Sequence, residues 1–409
     1  MSEILSPDDV LRIRMRALGL AESAWADGGR SANHDIAPDL AHDVARSGAE
    51  RIAAVARRML ALQGQDWRSA RWALGVRAPG TTAADVEAAF DTRRIVRSWP
   101  MRGTVHIVAA EDIRWMQLAT NHRVLAGAPK RRAFLGIDDA ALDRLVDTSL
   151  LALAAAGTDG LDRDRLAEAW TEAGIDWQPN WRYHLIWWIC QNGLAAFGPI
   201  GPGGEPLLVA TEHWITASRD LAGDAALHEL AVRYAAARGP FREKDLAWWT
   251  GLTVAEARAG ITAAAESGAL VPARARDAAG ATVPGAAGRL WVDPGLLGAT
   301  DDPTREGPLP EWVLLAAFDE HLLGYSERSP QLDPEHFARI VPGRNGMFLP
   351  TVVHRGGVVG TWKRRRGRAG GLDIAPFPGA GIDAGALATA NRAWAAFHGV
   401  AAGDIALAE

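Results

Sequence analysis

Three stretches of this 409-residue chain run through the same order: amphipathic helices, a glycine stop, then two short apolar runs around turn residues. Helices followed by a two-stranded hairpin is the order of a winged helix, with the hairpin as the wing. A chain that repeats it is constrained to be α+β and built of small units in tandem.

The second copy is the most legible. Residues 162–173 predict a helix with Leu166, Ala169 and Trp170 on one face, stopped by Gly174. A second helix spans 181–192, apolar at Leu185, Trp188 and Ile189. A strand over 194–200, the turn Gly201-Pro202-Gly203-Gly204 and a strand over 206–210 complete it. The third copy predicts helices over 227–237, 242–250 (ended by Gly251) and 253–266, with Thr253 and Glu256 spaced as a capping box. Gly268 ends that helix, and strands over 270–273 and 290–293 pair around a Gly- and Ala-rich tip.

The first copy is more decorated. Helices are predicted over 51–62, with Ile52, Val55, Ala56, Met59 and Leu60 on one face, and over 83–90. Strands over 95–98 and 104–108 flank Pro100-Met101-Arg102-Gly103. The polar stretch 21–47 reads as a loop or partly disordered insertion. From about Pro308 apolar runs over 313–318, 348–353 and 358–362 indicate a small β-rich domain, closed by a helix over 386–397. The expected domains are 1–136, 137–222, 223–307 and 308–409.

Net charge is −5, so any basic surface must be local. One cysteine, Cys190, cannot form an internal disulfide and suits a reducing compartment. The first residues lack a secretory pattern. The longest apolar stretch, 150–156, falls far short of the roughly 20 residues a membrane span needs. The expectation is a cytoplasmic protein without membrane contact. No glycine-rich nucleotide loop occurs, and the consecutive Asp319, Glu320 and His321 cannot all face one ion, so neither metal nor cofactor is expected. Asp319 is expected to brace the β-rich domain by pairing with Arg328.

Four segments then carry a resemblance: LALQGQDWRSARWALGVR (60–77), VRSWPMRGTVHIVAAEDIRWM (96–116), FDEHLLGYSERS (318–329) and GVVGTWKRR (357–365). In this order they resemble the AlkZ-type DNA glycosylases. The resemblance implies tandem winged helices with a C-terminal β-barrel, and removal of alkylated purines, including bulky adducts and crosslinks. Some members of that family protect producers of DNA-alkylating antibiotics. The family's catalytic pair, two glutamines separated by one usually aliphatic residue, falls here on Gln63 and Gln65, with Gly64 between them.

Two amides suit this chemistry under one condition. Successive helical residues turn by about 100°, so positions i and i+2 diverge on a helix and converge in an extended segment. The pair therefore needs the helix to have ended. Gly64 is a natural break, and Asp66 a natural N-cap for a helix over 67–75. Asp66 also offers itself as a general base, a role that competes with capping. An N3- or N7-alkylated purine is already cationic and leaves with little help. Neutral amides can then hold the attacking water and aim carbonyl dipoles at the oxocarbenium-like sugar. A bare Gln-x-Gln is commonly two solvated amides; the flanking segments set this pair apart.

Basic residues cluster in the same region: Arg57, Arg58, Arg68, Arg71, Arg93, Arg94, Arg97 and Arg102. Each is either a phosphate contact or part of a solvated face, and Arg102, at a hairpin tip, is the strongest phosphate candidate. His106 resembles a family-typical histidine that approaches DNA, and equally a hydrogen-bonded structural histidine. Lys130 to Arg132 form a basic loop run, and Lys363 and Arg364 begin another. Of the 17 tryptophans, Trp187, Trp188, Trp248 and Trp249 read as core, while Trp67 beside the glutamines stays open.

The leading expectation is a monofunctional, monomeric DNA glycosylase acting on double-stranded DNA. The alternatives are a non-catalytic winged-helix DNA-binding protein, such as a transcriptional regulator, and a scaffold using winged helices for protein contacts.

Overall fold

Glycine stops and capping residues mark the element ends much as the sequence indicates. The computed structural model describes residues 3–21, 46–297, 309–343 and 345–408; most of the expected insertion lies outside the described residues. Ser47 caps the helix Gly48–Met59 in a capping box with Glu50, and Thr253 and Glu256 do the same for Val254–Glu266. Gly251 ends the helix Glu243–Thr250 in the left-handed conformation. Among the described residues, no helix is long and apolar enough to cross a membrane.

The chain divides into two units, Glu87–Ala226 and a discontinuous one made of Met1–Val86 and Leu227–Glu409. In the first, strands Thr104–Ala109, Ile95–Met101, Ala195–Ile200 and Pro206–Ala210 lie side by side in that order. The hairpins expected of two separate copies thus share one sheet, joined at Arg97 and Phe197. The core beneath them is built from Leu145, Leu153, Leu166, Trp170, Ile189 and Phe197, with Trp187 and Trp188 packed against it. Helices Ile113–Ala126 and Asp139–Ala156 belong to the same unit. Lys130 to Arg132, expected in a loop, lie on the helix Ala128–Leu135. Pro129 in its first turn and left-handed Gly136 after its last residue supply the start and stop that permit it.

Among the described residues, two sheets lie wholly in the discontinuous unit. Val271–Ala275 and Arg289–Val292 form the expected hairpin, and Glu3–Leu5 adds a parallel strand to it. The C-terminal strands run in the order Ile405–Leu407, Leu372–Pro376, Gly357–Arg364, Thr351–His354, Trp312–Leu315. They form an open sheet where a closed barrel was expected. Closure would pair the edge Trp312–Leu315 with the opposite edge Ile405–Leu407; instead the indole N–H of Trp72 donates to the Leu314 carbonyl at 2.7 Å, and the helix Ala388–Phe397 packs on that strand.

Ion pairing also departs from expectation. Asp319 is gripped through both oxygens by Arg77, at 2.8 and 2.9 Å, and not by Arg328. Arg77 is the better placed fork, because it also donates to the Leu18 and Ala73 carbonyls at 2.8 Å each. Arg328 donates to Leu322 O and lies over the Trp248 ring.

Candidate active site

The two glutamines lie on the connection between Gly48–Met59 and Trp67–Gly75. The first of these helices ends at Met59, short of the expected Leu62. The break falls on Leu60, whose φ of 62° and ψ of −51° are not helical. The chain then runs extended through Leu62–Gln63, and Gln65 follows at a bend outside the strand. Asp66 caps Trp67–Gly75, accepting from the Ser69 N–H at 2.6 Å. That bond commits one carboxylate oxygen to the helix start and leaves Asp66 exposed.

Gln63 is 8% exposed, and its Oε1 accepts the backbone N–H of Gln65 at 3.2 Å. The first side chain therefore fixes the backbone that carries the second. Gln65 is exposed, with its Nε2 4.0 Å from the Met347 sulfur. Trp67 is buried, and the Arg71 guanidinium lies 5.3 Å from the centre of its ring. Arg68 is exposed and Arg71 half-buried. Their charge is felt nearby: His398 is held at a pKa of about 4 by burial, then by repulsion from Arg71 and Arg68. Arg68 and Arg71 thus place two positive charges on the helix that follows the glutamines.

The remaining expected contacts distribute as follows. Arg57 is half-buried, and its carbonyl accepts from Arg233. Arg58 is 6% exposed and donates to the Ala236 carbonyl at 2.6 Å. Burial lowers the Arg58 pKa, with Asp293 opposing that shift and Arg233 adding to it. Lys363 and Arg364 are exposed at the end of the strand Gly357–Arg364.

In the other unit, Arg97 is buried against Phe197. Half-buried Arg93 lies over Trp214, and Arg94 is exposed. Arg102 and Gly103 form a two-residue hairpin turn with φ values of 54° and 65°, the twist a tight hairpin favours. His106 is fully buried, with Nδ1 2.9 Å from the Thr104 carbonyl. No group of histidine, cysteine and acidic side chains that could hold a metal ion occurs among the described residues.

Sequence reasoning missed the buried arginines of the discontinuous unit, of which Arg233 and Arg238 bond the backbone just before the glutamines. Arg233 and Arg238 are 1% and 0% exposed on the helix Gly223–Arg238, and Arg14 is 1% exposed on Pro7–Ala17. A signal existed for the first two. They interrupt the run AVRYAAAR, and a helix that is apolar all round is an interior helix.

Comparison with known proteins adds two findings. The sequence profile of the family described as DNA glycosylase AlkZ-like matches residues 56–397, a span that includes both glutamines. The DNA glycosylase AlkZ of Streptomyces sahachiroi is similar in structure, with a TM-score of 0.73 over 99% of this chain and 100% of that one, at 18% identity. None of the curated proteins compared matches the sequence.

Proposed function

Because the chain belongs to the AlkZ-like DNA glycosylase family, we propose that it hydrolyses the N-glycosidic bond of purines made cationic by alkylation at N3 or N7, bulky adducts and crosslinks included. Gln63 and Gln65 hold the attacking water and turn their carbonyl dipoles toward the sugar as it gains positive charge; the C1′–N bond breaks with its electrons going to the base, which leaves neutral, and the water gives its proton to solvent as its oxygen bonds C1′. The cationic base departs without an acid, so the reaction asks no carboxylate for a proton.

The observation that carries this reading is the interlock of the pair. The bond from Gln63 Oε1 to the Gln65 N–H, at 3.2 Å, ties one glutamine side chain to the backbone that carries the other, with Arg68 and Arg71 on the helix that follows. Double-stranded DNA is the partner and the working form is a monomer. Arg57, Arg68, Arg71, Arg102, Lys363 and Arg364 meet phosphate, while Arg58, Arg97 and His106 support from within. We read the chain as three tandem winged helices, at 1–136, 137–222 and 223–307, followed by a β-rich domain at 308–409.

Base release from duplex DNA carrying N7-methylguanine or N3-methyladenine tests the reading, wild type against Gln63→Ala/Gln65→Ala. Release by the wild type and loss in the variant is the expected result. Equal release by both would move the chemistry away from the glutamines.

A further inference from the structure

Leu60 sits in a conformation that leucine rarely adopts. With the Ala61 N–H donating to the Met59 carbonyl at 2.7 Å, residues 59 to 61 close a γ-turn of the rare, strained kind. Such backbone persists only where its surroundings over-determine it. The carbonyls on either side of this buried turn are bound by one side chain. Arg238, fully buried, donates from Nη1 to the Met59 carbonyl at 2.9 Å and from Nη2 to the Ala61 carbonyl at 2.8 Å. Its fork spans the turn and binds the peptide planes 59–60 and 61–62 on either side of it.

Arg238 is itself held. Glu320 Oε2 accepts from its Nε at 3.0 Å and from its Nη2 at 2.8 Å, and also accepts the Trp249 indole N–H at 2.9 Å. The guanidinium carbon lies 4.2 Å from the centre of the Trp249 ring. A buried ion pair is a poor device for stability alone, because apolar residues of equal volume often serve as well. This pair does what apolar residues cannot, which is to bond two carbonyls at a fixed spacing.

We propose that Arg238 and Glu320 are positioning residues: they hold the γ-turn at Leu60, and through it the place of Gln63 and the Gln65 backbone bonded to it. The inference rests on the reading of Gln63 as catalytic. Neither residue touches the reacting atoms. A displacement of about 1 Å in a catalytic group can cost on the order of 100-fold in rate, so a loosened turn should be visible in turnover.

Two variants separate positioning from folding. Arg238→Met/Glu320→Met removes both charges at similar volume. Arg238→Lys keeps a charge opposite Glu320, but an ammonium cannot span both carbonyls. Each is compared with wild type by amide hydrogen exchange of the peptide 59–65, by single-turnover release of N7-methylguanine from duplex DNA, and by DNA affinity. The expected result is faster exchange confined to 59–65, release slowed by about 10- to 100-fold, and affinity within about two-fold. Unchanged exchange in that peptide overturns the proposal, as does faster exchange with an unchanged release rate. So does failure of both variants to fold, which would make the pair a folding element. Gln63→Ala run in parallel keeps the two ideas apart. If it releases base as wild type does, the glutamine assignment fails, while the exchange data still decide whether Arg238 holds the turn.

Discussion

The indole N–H of Trp72 donates to the backbone carbonyl of Leu314 at 2.7 Å, tying the helix that follows the glutamines to the edge of the C-terminal sheet. The Trp72 ring also packs on Phe397, with centroids 5.3 Å apart. Trp72→Phe keeps the aromatic contact but leaves the buried carbonyl without this donor. It should lower unfolding free energy by about 1–3 kcal/mol, read from urea denaturation. A change within error would mean that the carbonyl finds another donor.

Arg77 and Asp319 form a fork-to-fork pair with side chains 0% and 4% exposed. Burial alone would raise the Asp319 pKa, but the charge and hydrogen bonds of Arg77 outweigh it and hold the carboxylate ionised. Arg77→Met strands that charge and should cost about 3–5 kcal/mol. Adding Asp319→Leu should recover most of the loss. Chemical denaturation of the single and double variants measures both, and a double variant no better than the single would show the pair is not the cause.

His321 sets an acid limit. Burial holds its pKa at about 4, against the pull of Asp319, where the unfolded chain titrates near 6.5. Between those values the unfolded chain binds more protons, so stability is present above about pH 6.5 and is lost as pH falls toward 4. The loss should reach on the order of 3 kcal/mol. Denaturation midpoints from pH 7 to pH 4.5 should therefore fall in the wild type and fall less in His321→Gln. Parallel slopes would assign the acid sensitivity elsewhere, with His398 the next candidate.

Half-buried Arg102 and the exposed Lys363 and Arg364 should behave differently toward DNA from buried Arg58. Arg102→Ala, or Lys363→Ala with Arg364→Ala, should flatten the salt dependence of affinity by about 0.9 in log–log slope for each phosphate deprived of its cation. Arg58→Ala should leave that slope intact and lower stability instead, because the side chain serves the Ala236 carbonyl. A flattened slope in Arg58→Ala would put its charge at the DNA.

What the sequence disclosed was local. Asp66 as an N-cap, the Thr253–Glu256 capping box and the hairpin around Arg102 depend on residues within a few positions of one another. Hidden features depend on partners far apart. Nothing near Asp319 distinguishes Arg77 from Arg328 as its partner, and no periodicity exists in Glu3–Leu5, a three-residue strand whose neighbour is Val271–Ala275. The glutamine pair was legible as a motif, but the break that presents it was not. Gly64 was the natural breaker by propensity; the chain turns at Leu60 because Arg238 makes that turn tenable.

The clamp also imposes an order of assembly during synthesis. Arg238 lies 179 residues beyond the Met59 carbonyl it binds, a gap of roughly 10–40 s at about 5–20 residues per second. Throughout that interval the whole of Glu87–Ala226 emerges, while the segment carrying Gln63 and Gln65 waits for its anchor. A ribosome that stalls between residues 226 and 238 holds a nascent chain whose middle unit is fully translated and whose proposed catalytic loop lacks the Arg238 clamp.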